Sequence, residues 1–252
     1  MQRAADHVRF GGLTFDDFRR MACDPSLGPN ERVGFPETYR AGAEQAILDD
    51  IVLKLPALAG RDALVVDIGP GSSPLSLALV EHCARARHRL VLVDSAEMLA
   101  HHPERSGVTK IPGRFPDCLE SLADIRGRAD AVLAYSVVQY AFAEASIFGF
   151  VDAALSLLAP GGRFLAGDVP NAAMRKRFLA SAAGAAHHRA WSGLDEDPVV
   201  CFNTSDPGEI DDGVVLGLLT RSRAAGFHGW IVPQPGDLPM ANRREDLLIG
   251  RP

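Results

Sequence analysis

Cysteine is scarce in this chain and never clustered. The 252 residues hold four, Cys23, Cys83, Cys118 and Cys201, with no CxxC pair. Such wide spacing argues against a disulfide framework or a structural zinc site and points to a reducing, cytoplasmic setting. Long apolar runs are missing too: none approaches the roughly 18–20 residues that cross a bilayer. Met1–Phe10 carries charge with no apolar stretch behind it, so no secretory signal is expected. Nor is there a surplus of positive charge, since 26 Lys and Arg face 32 Asp and Glu for a net −6. General electrostatic binding to nucleic acid or anionic membrane is therefore not expected. Repeats and low-complexity tracts are absent beyond modest Ala enrichment. What remains is an ordinary folded composition, 47% hydrophobic and 23% charged, long enough for one sizeable core.

Along the chain, a short amphipathic piece at Thr14–Ala22 precedes a helix expected from about Pro36 to Leu55, with Ile47, Ile51, Val52 and Leu55 on one face. From Asp62 strands alternate with helices. Expected strands are Ala63–Asp67, Arg89–Val93, Val108–Ile111, Ala129–Tyr135, Arg163–Gly167, Phe227–Val232 and Arg244–Gly250. Expected helices open at Pro74 and Ser95, and run over Glu144–Leu158, Ala172–Trp191 and Asp211–Ala225. This alternation predicts an α/β fold, a parallel sheet with helices on both faces. About 58 residues separate Asp168 from the next strand, too many for a simple crossover. Pro170–Asp212 is accordingly read as a lid beside the ligand crevice. The expected organisation is an N-terminal helical cap over residues 1–60 and one domain over 61–252, with the lid at about 170–212.

The informative motif is Val65-Val66-Asp67-Ile68-Gly69-Pro70-Gly71-Ser72-Ser73. Two glycines two apart, between a strand and a helix, let backbone approach a ligand closely. The third glycine of a dinucleotide fingerprint is replaced by Ser73. Asp67 ends the strand, where a carboxylate would oppose a pyrophosphate but welcome a cationic amino acid or sulfonium. Asp94 ends the second strand, 23 residues after Gly71, and suits a ribose diol.

These residues resemble the class I S-adenosylmethionine-dependent methyltransferases. The likeness spans about Asp62–Asp168 and rests on Asp67, Gly69 and Gly71, on Asp94, and on the Leu158-Ala159-Pro160-Gly161-Gly162 turn. It implies a Rossmann-like, seven-stranded, mostly parallel sheet whose last strand lies antiparallel between the fifth and sixth, and S-adenosyl-L-methionine as cofactor. By that likeness Asp67, Gly69, Pro70, Gly71 and Ser72 line the methionine part, Asp94 and Ser95 the ribose, and Arg114 and Phe115 the adenine. Gly113-Arg114 stands where the family often has Gly-Asp, so Asp117 or backbone amides would have to serve instead. Three flanking strings, Gly34-Phe35-Pro36-Glu37-Thr38-Tyr39-Arg40, Gly167-Asp168-Val169-Pro170-Asn171 and Leu238-Pro239-Met240-Ala241-Asn242-Arg243-Arg244-Glu245-Asp246, are similar to methyltransferases associated with bacterial cell-surface sugar and polysaccharide biosynthesis.

Several residues are candidates around that cofactor. Asp168 is a base or hydroxyl anchor, or else a loop cap. His187 and His188 lie on the lid helix, with His188 expected on one face with Arg177. Tyr135, Ser136, Gln139 and Tyr140 follow the fourth strand, and Tyr140 joins the catalytic candidates. Arg40 is expected over the cofactor carboxylate, unless it only packs its helix. Arg175 and Arg177, together with Arg243 and Arg244, would hold an anionic acceptor such as a nucleotide sugar or phosphorylated glycan. Seven acids between Ala190 and Thr220 read as a solvated loop, and no metal is expected. The expected activity is O-methylation of a small polar or anionic acceptor. An NAD(P)-dependent oxidoreductase and a non-catalytic S-adenosylmethionine-binding partner remain the alternatives.

Overall fold

The computed structural model describes residues 12–36, 39–204 and 206–252; Met1–Phe10, Glu37 and Thr38 lie outside them. Seven strands form one sheet: β1 (Leu64–Ile68), β2 (Arg89–Asp94), β3 (Val108–Pro112), β4 (Ala129–Tyr135), β5 (Leu158–Pro170), β6 (His228–Pro233) and β7 (Arg244–Gly250). Their order is β3-β2-β1-β4-β5-β7-β6. The first five strands are parallel, and β7 runs antiparallel between β5 and β6. This is the expected topology. The order reverses between β1 and β4, which opens a crevice at the carboxyl ends of the strands.

Both faces of the sheet are covered, so the central strands are apolar throughout. All five residues of β1 are buried. Leu64, Val66 and Ile68 join one cluster with Phe150 and Leu218, contributed by α6 (Ile147–Ser156) and α9 (Asp212–Ala224). Val65 points the other way, into a cluster with Ile47, Leu48 and Ile51 of α2 (Glu44–Lys54) and Leu79 and Val80 of α3 (Pro74–Ala86). Two-residue alternation places Asp67 on the Val65 side. In front of the sheet lies α1 (Phe15–Ala22), capped by Thr14 and Asp17 in a reciprocal box. After β2 comes the single turn α4 (Ala96–Leu99). Among the described residues no helix is long and apolar enough to cross a membrane.

Several expected elements differ in extent. The helix expected from Pro36 begins at Glu44, because residues 40–43 form a turn and Gly42 donates its N–H to the Glu44 carboxylate (2.8 Å). The helix expected over Glu144–Leu158 is α6, shorter at both ends because Ser146 caps it through Gly149 N (3.1 Å), and a further helix, α5 (Val138–Glu144), precedes it where none was expected. The single helix expected over Ala172–Trp191 is broken into α7 (Ala172–Leu179) and α8 (Ala182–Ser192), with Ser181 capping Gly184 N (3.1 Å). That break overturns the expectation that Arg177 and His188 share one helical face. β5 is longer than expected at both ends and shifts register between Ala166 and Val169, where it pairs with β7. The insertion departs and returns at one place: Ala172 N donates to Ile210 O (2.8 Å), and Asn171 Nδ2 to Asp212 (2.8 Å) and Glu245 (2.6 Å).

Candidate functional site

At the carboxyl ends of β1, β2 and β4 a pocket encloses about 1160 Å³, counting its open mouth. The turn after β1 forms its floor. Gly69 (φ +70°) and Gly71 (φ +61°) adopt the left-handed conformation that glycine tolerates. A Cβ on Gly69 would fall 2.6 Å from Val137, and one on Gly71 2.4 Å from Val33. The turn is thus wedged between the start of α5 and the N-terminal segment, its backbone turned to the cavity. Phe15, Phe18, Val33 and Phe35 form the front wall.

Of the residues named from sequence, Asp67, Gly69, Pro70, Gly71, Asp94, Arg114, Phe115, Tyr135, Ser136, Tyr140 and Arg40 line this pocket. Ser72 and Ser95 do not. Ser72 is buried with its hydroxyl unpartnered among the described residues, while Ser95 caps α4 through Met98 N (3.2 Å). Asp67 is buried, and among the described residues no hydrogen bond reaches its carboxylate; burial, with Asp94 adding to it, pushes its pKa up to about 8. Asp94 accepts from Gly71 N (3.0 Å) on one oxygen and Ser95 N (2.7 Å) on the other. Burial raises it to about 6 despite those two bonds. Arg114 reaches Glu144 (3.6 Å), which also accepts from Phe15 N (3.0 Å). The Phe115 ring meets Phe150 edge-on at 5.2 Å. Tyr140 meets Phe18 in the same way at 4.7 Å, and burial raises its phenol pKa.

Asp168 stands behind the pocket wall as the hub of a buried ionic network. It occupies the irregular stretch of β5 with φ +57°, facing Ser136, another non-glycine residue with φ +60°. Paired strain of this kind persists only where surrounding contacts hold it. Asp168 Oδ2 accepts from Arg40 (2.5 Å), Arg244 (3.0 Å) and the Ser136 hydroxyl, and Oδ1 accepts from Gln234 (3.4 Å). Asp168 N donates to Asp246 (2.8 Å), and Lys54 joins Asp246 (2.7 Å) to Asp50 (2.5 Å). Arg40 lies over the Phe35 ring at 3.8 Å. Burial would raise the Asp168 pKa, but Arg244, Arg40, Ser136 and Gln234 hold it below the ordinary value. A carboxylate so engaged is an anchor, so the expectation of a general base gives way. Sequence reading missed Lys54, Asp50, Gln234 and Asp246; the Asp50–Lys54 spacing of four was the one local signal.

The candidate residues of the 170–212 insertion lie outside the pocket. His187 is exposed beside Phe178 (5.6 Å), its pKa lowered by partial burial and by Arg243. His188 is half-buried beside Trp191 (6.4 Å). Arg177 is committed to Asp212 (2.6 Å), Lys176 to Asp206 (2.6 Å) and Arg189 to Asp197, so the loop acids neutralise the lid's own cations. Arg244, expected beside Arg243 as an acceptor ligand, is instead bound to Asp168. Arg175 and Arg243 have no carboxylate partner among the described residues. Arg243 is half-buried and bonded to Asn242 (3.1 Å); burial and the like charges of Arg244 and Arg175 disfavour its cationic form. Its backbone carbonyl accepts from Asn171 N (3.1 Å), and Arg175 N donates to Asn171 O (2.9 Å), so both arginines flank Asn171.

The chain resembles several solved methyltransferases. The N-methyltransferase NodS from Bradyrhizobium japonicum WM9, solved with S-adenosyl-L-homocysteine, aligns with TM-score 0.57 and 14% identity over 94% of this chain and 98% of that one. An O-methyltransferase family protein from Burkholderia thailandensis gives 0.55 and 17% over 99% and 68%. The CurJ carbon methyltransferase gives 0.55 and 14% over 98% and 66%. No protein-family model and no curated protein sequence matches the chain. The fold is that of the class I methyltransferases; three neighbours named for three different acceptor elements leave the acceptor undefined.

Proposed function

We propose that this chain is an S-adenosyl-L-methionine-dependent methyltransferase that modifies a small anionic acceptor at oxygen. The observation that carries this reading is the pair of carboxylates, buried Asp67 and half-buried Asp94, flanking a glycine turn that Val33 and Val137 leave room for only as glycine. A dinucleotide would bring a pyrophosphate against Asp67, which would keep the carboxyl from ionising and supply it no cationic partner. A cationic amino acid there would supply the partner that Asp67 lacks.

In this reading Asp67 holds the cofactor's ammonium group. Asp94 keeps lone pairs on both oxygens for the ribose hydroxyls, since each oxygen accepts one backbone N–H. Arg40 turns its remaining N–H groups to the carboxylate, while Arg114 and Phe115 border the adenine. When bound, the cofactor supplies an electrophilic methyl group on a sulfonium. The phenylalanines of the front wall exclude water, and the pocket walls align acceptor and donor. A phosphate or carboxylate oxygen is already anionic and needs no general base. That suits an Asp168 locked between two arginines and a Tyr140 kept protonated by burial. Arg243 and Arg175, without acidic partners among the described residues, would attract such an acceptor. Nucleotide sugars and phosphorylated glycans of the bacterial cell surface, made in the cytoplasm, are the first candidates.

The test is calorimetric titration with S-adenosylhomocysteine, with NAD and NADP as controls, followed by transfer of labelled methyl to those acceptors. Micromolar binding of S-adenosylhomocysteine alone is expected. Binding of a dinucleotide instead would overturn the reading.

A further inference from the structure

His102 lies just beyond α4, 3% exposed, in a part of the chain the pocket does not include. Its ring nitrogen Nε2 is 2.7 Å from the carbonyl oxygen of Gly71. A carbonyl only accepts, so Nε2 carries the proton and Nδ1 is the bare nitrogen. Nδ1 is buried and has no partner among the described residues. Burying an unsatisfied acceptor is costly, which an apolar side chain in the same place would avoid. Burial also lowers the His102 pKa, in keeping with a neutral ring. The backbone of His102 is held as well: Lys110 of β3 donates to its carbonyl oxygen (2.7 Å).

The two polar atoms of Gly71 belong to two different peptide planes. Its N–H donates to Asp94 (3.0 Å), and its C=O accepts from His102 (2.7 Å). Pinning the plane on each side of a residue fixes both its φ and its ψ, and Gly71 sits at φ +61°, a region where glycine is otherwise free to swing. The next histidine along, His101, faces the other way and donates to Ala22 O (2.8 Å) at the end of α1. Consecutive imidazoles therefore grip the glycine turn and the front wall.

We infer that His102 is a positioning residue for the cofactor turn: as the neutral Nε2–H tautomer it locks Gly71 so that Asp94 and the turn amides are set for the ligand before it arrives. Preorganisation of this kind improves affinity by removing an ordering cost from binding. The inference rests on the cofactor reading above, and its test separates the two.

S-adenosylhomocysteine binding is measured for the wild type, His102→Leu and His102→Gln, together with melting of each ligand-free protein. Leu keeps the apolar bulk and loses the donor; Gln restores an N–H donor. Leu should melt near the wild type yet bind about tenfold more weakly, and Gln should recover to within about threefold. Equal binding by the Leu variant, or a Gln variant as weak as Leu, would overturn the inference. Nitrogen-15 NMR of the wild-type histidines provides a second readout, independent of any ligand and of whether Leu folds. It should show His102 as the Nε2–H tautomer, with slow exchange of the Gly71 amide. An Nδ1–H tautomer would refute the clamp even if the wild type bound no S-adenosylhomocysteine, a result that by itself would count only against the cofactor reading.

Discussion

Asp67 and Asp168 end two parallel strands of one sheet, are each 3% exposed, and behave in opposite ways. Asp67, at the end of β1, has no hydrogen-bond donor among the described residues, and its pKa rises to about 8. Asp168, at the end of β5, has two arginines, a serine and a glutamine around it, and its pKa falls. Burial alone therefore says little about what a carboxylate does; its neighbours decide. A buried acid left without donors is prepared for a cationic ligand, whereas one saturated with donors holds the scaffold.

The largest effect should come from removing the saturated partner. Asp168→Ala strands Arg40 and Arg244 in the interior and should cost about 3–5 kcal/mol of stability in urea unfolding. Asp67→Asn should cost none. Equal losses would erase the contrast. Next, Asp94→Ala should weaken S-adenosylhomocysteine binding by about 1–3 kcal/mol in calorimetry, because charge-assisted hydrogen bonds disappear; unchanged affinity would remove Asp94 from the ribose.

The two acids also predict opposite responses to pH. Raised pKa values mean that the folded state binds more protons than the unfolded one, so stability falls as pH rises from about 4 to about 8 as Asp67 and Asp94 ionise. Asp168 has the reverse sign: its contribution is in place above the ordinary carboxylate value and is lost as pH falls below it. Unfolding at pH 5 and pH 8 should thus show a loss at the higher pH that Asp67→Asn reduces. The smallest effects belong to the lid. Arg177→Ala breaks an exposed pair with Asp212 and should cost under about 1 kcal/mol. Arg243→Ala should leave the melting temperature in place and raise the acceptor KM.

What was legible in the sequence follows the same division. The strand–turn–helix around Asp67, the acid at Asp94 and the alternation of strands and helices depend on neighbours close along the chain, whereas the antiparallel last strand followed only from the resemblance to the methyltransferases. The helix start at Ser146 and the helix break at Ser181 were each signalled by a capping serine with glycine three residues on. The Asp168 network was hidden because its partners are 128, 76, 66 and 32 residues away. Arg177 and Arg243 looked alike as charges. Only the fold gives Arg177 a carboxylate and Arg243 none among the described residues.

The most direct test of this account is proton release on binding. Calorimetric titration with S-adenosylhomocysteine at pH 7, in buffers of different ionisation enthalpy, should show a proton leaving as the ammonium group of the ligand meets Asp67, and Asp67→Asn should abolish that release. Heats independent of buffer in the wild type would contradict the claim that Asp67 is the unsatisfied acid awaiting a cation.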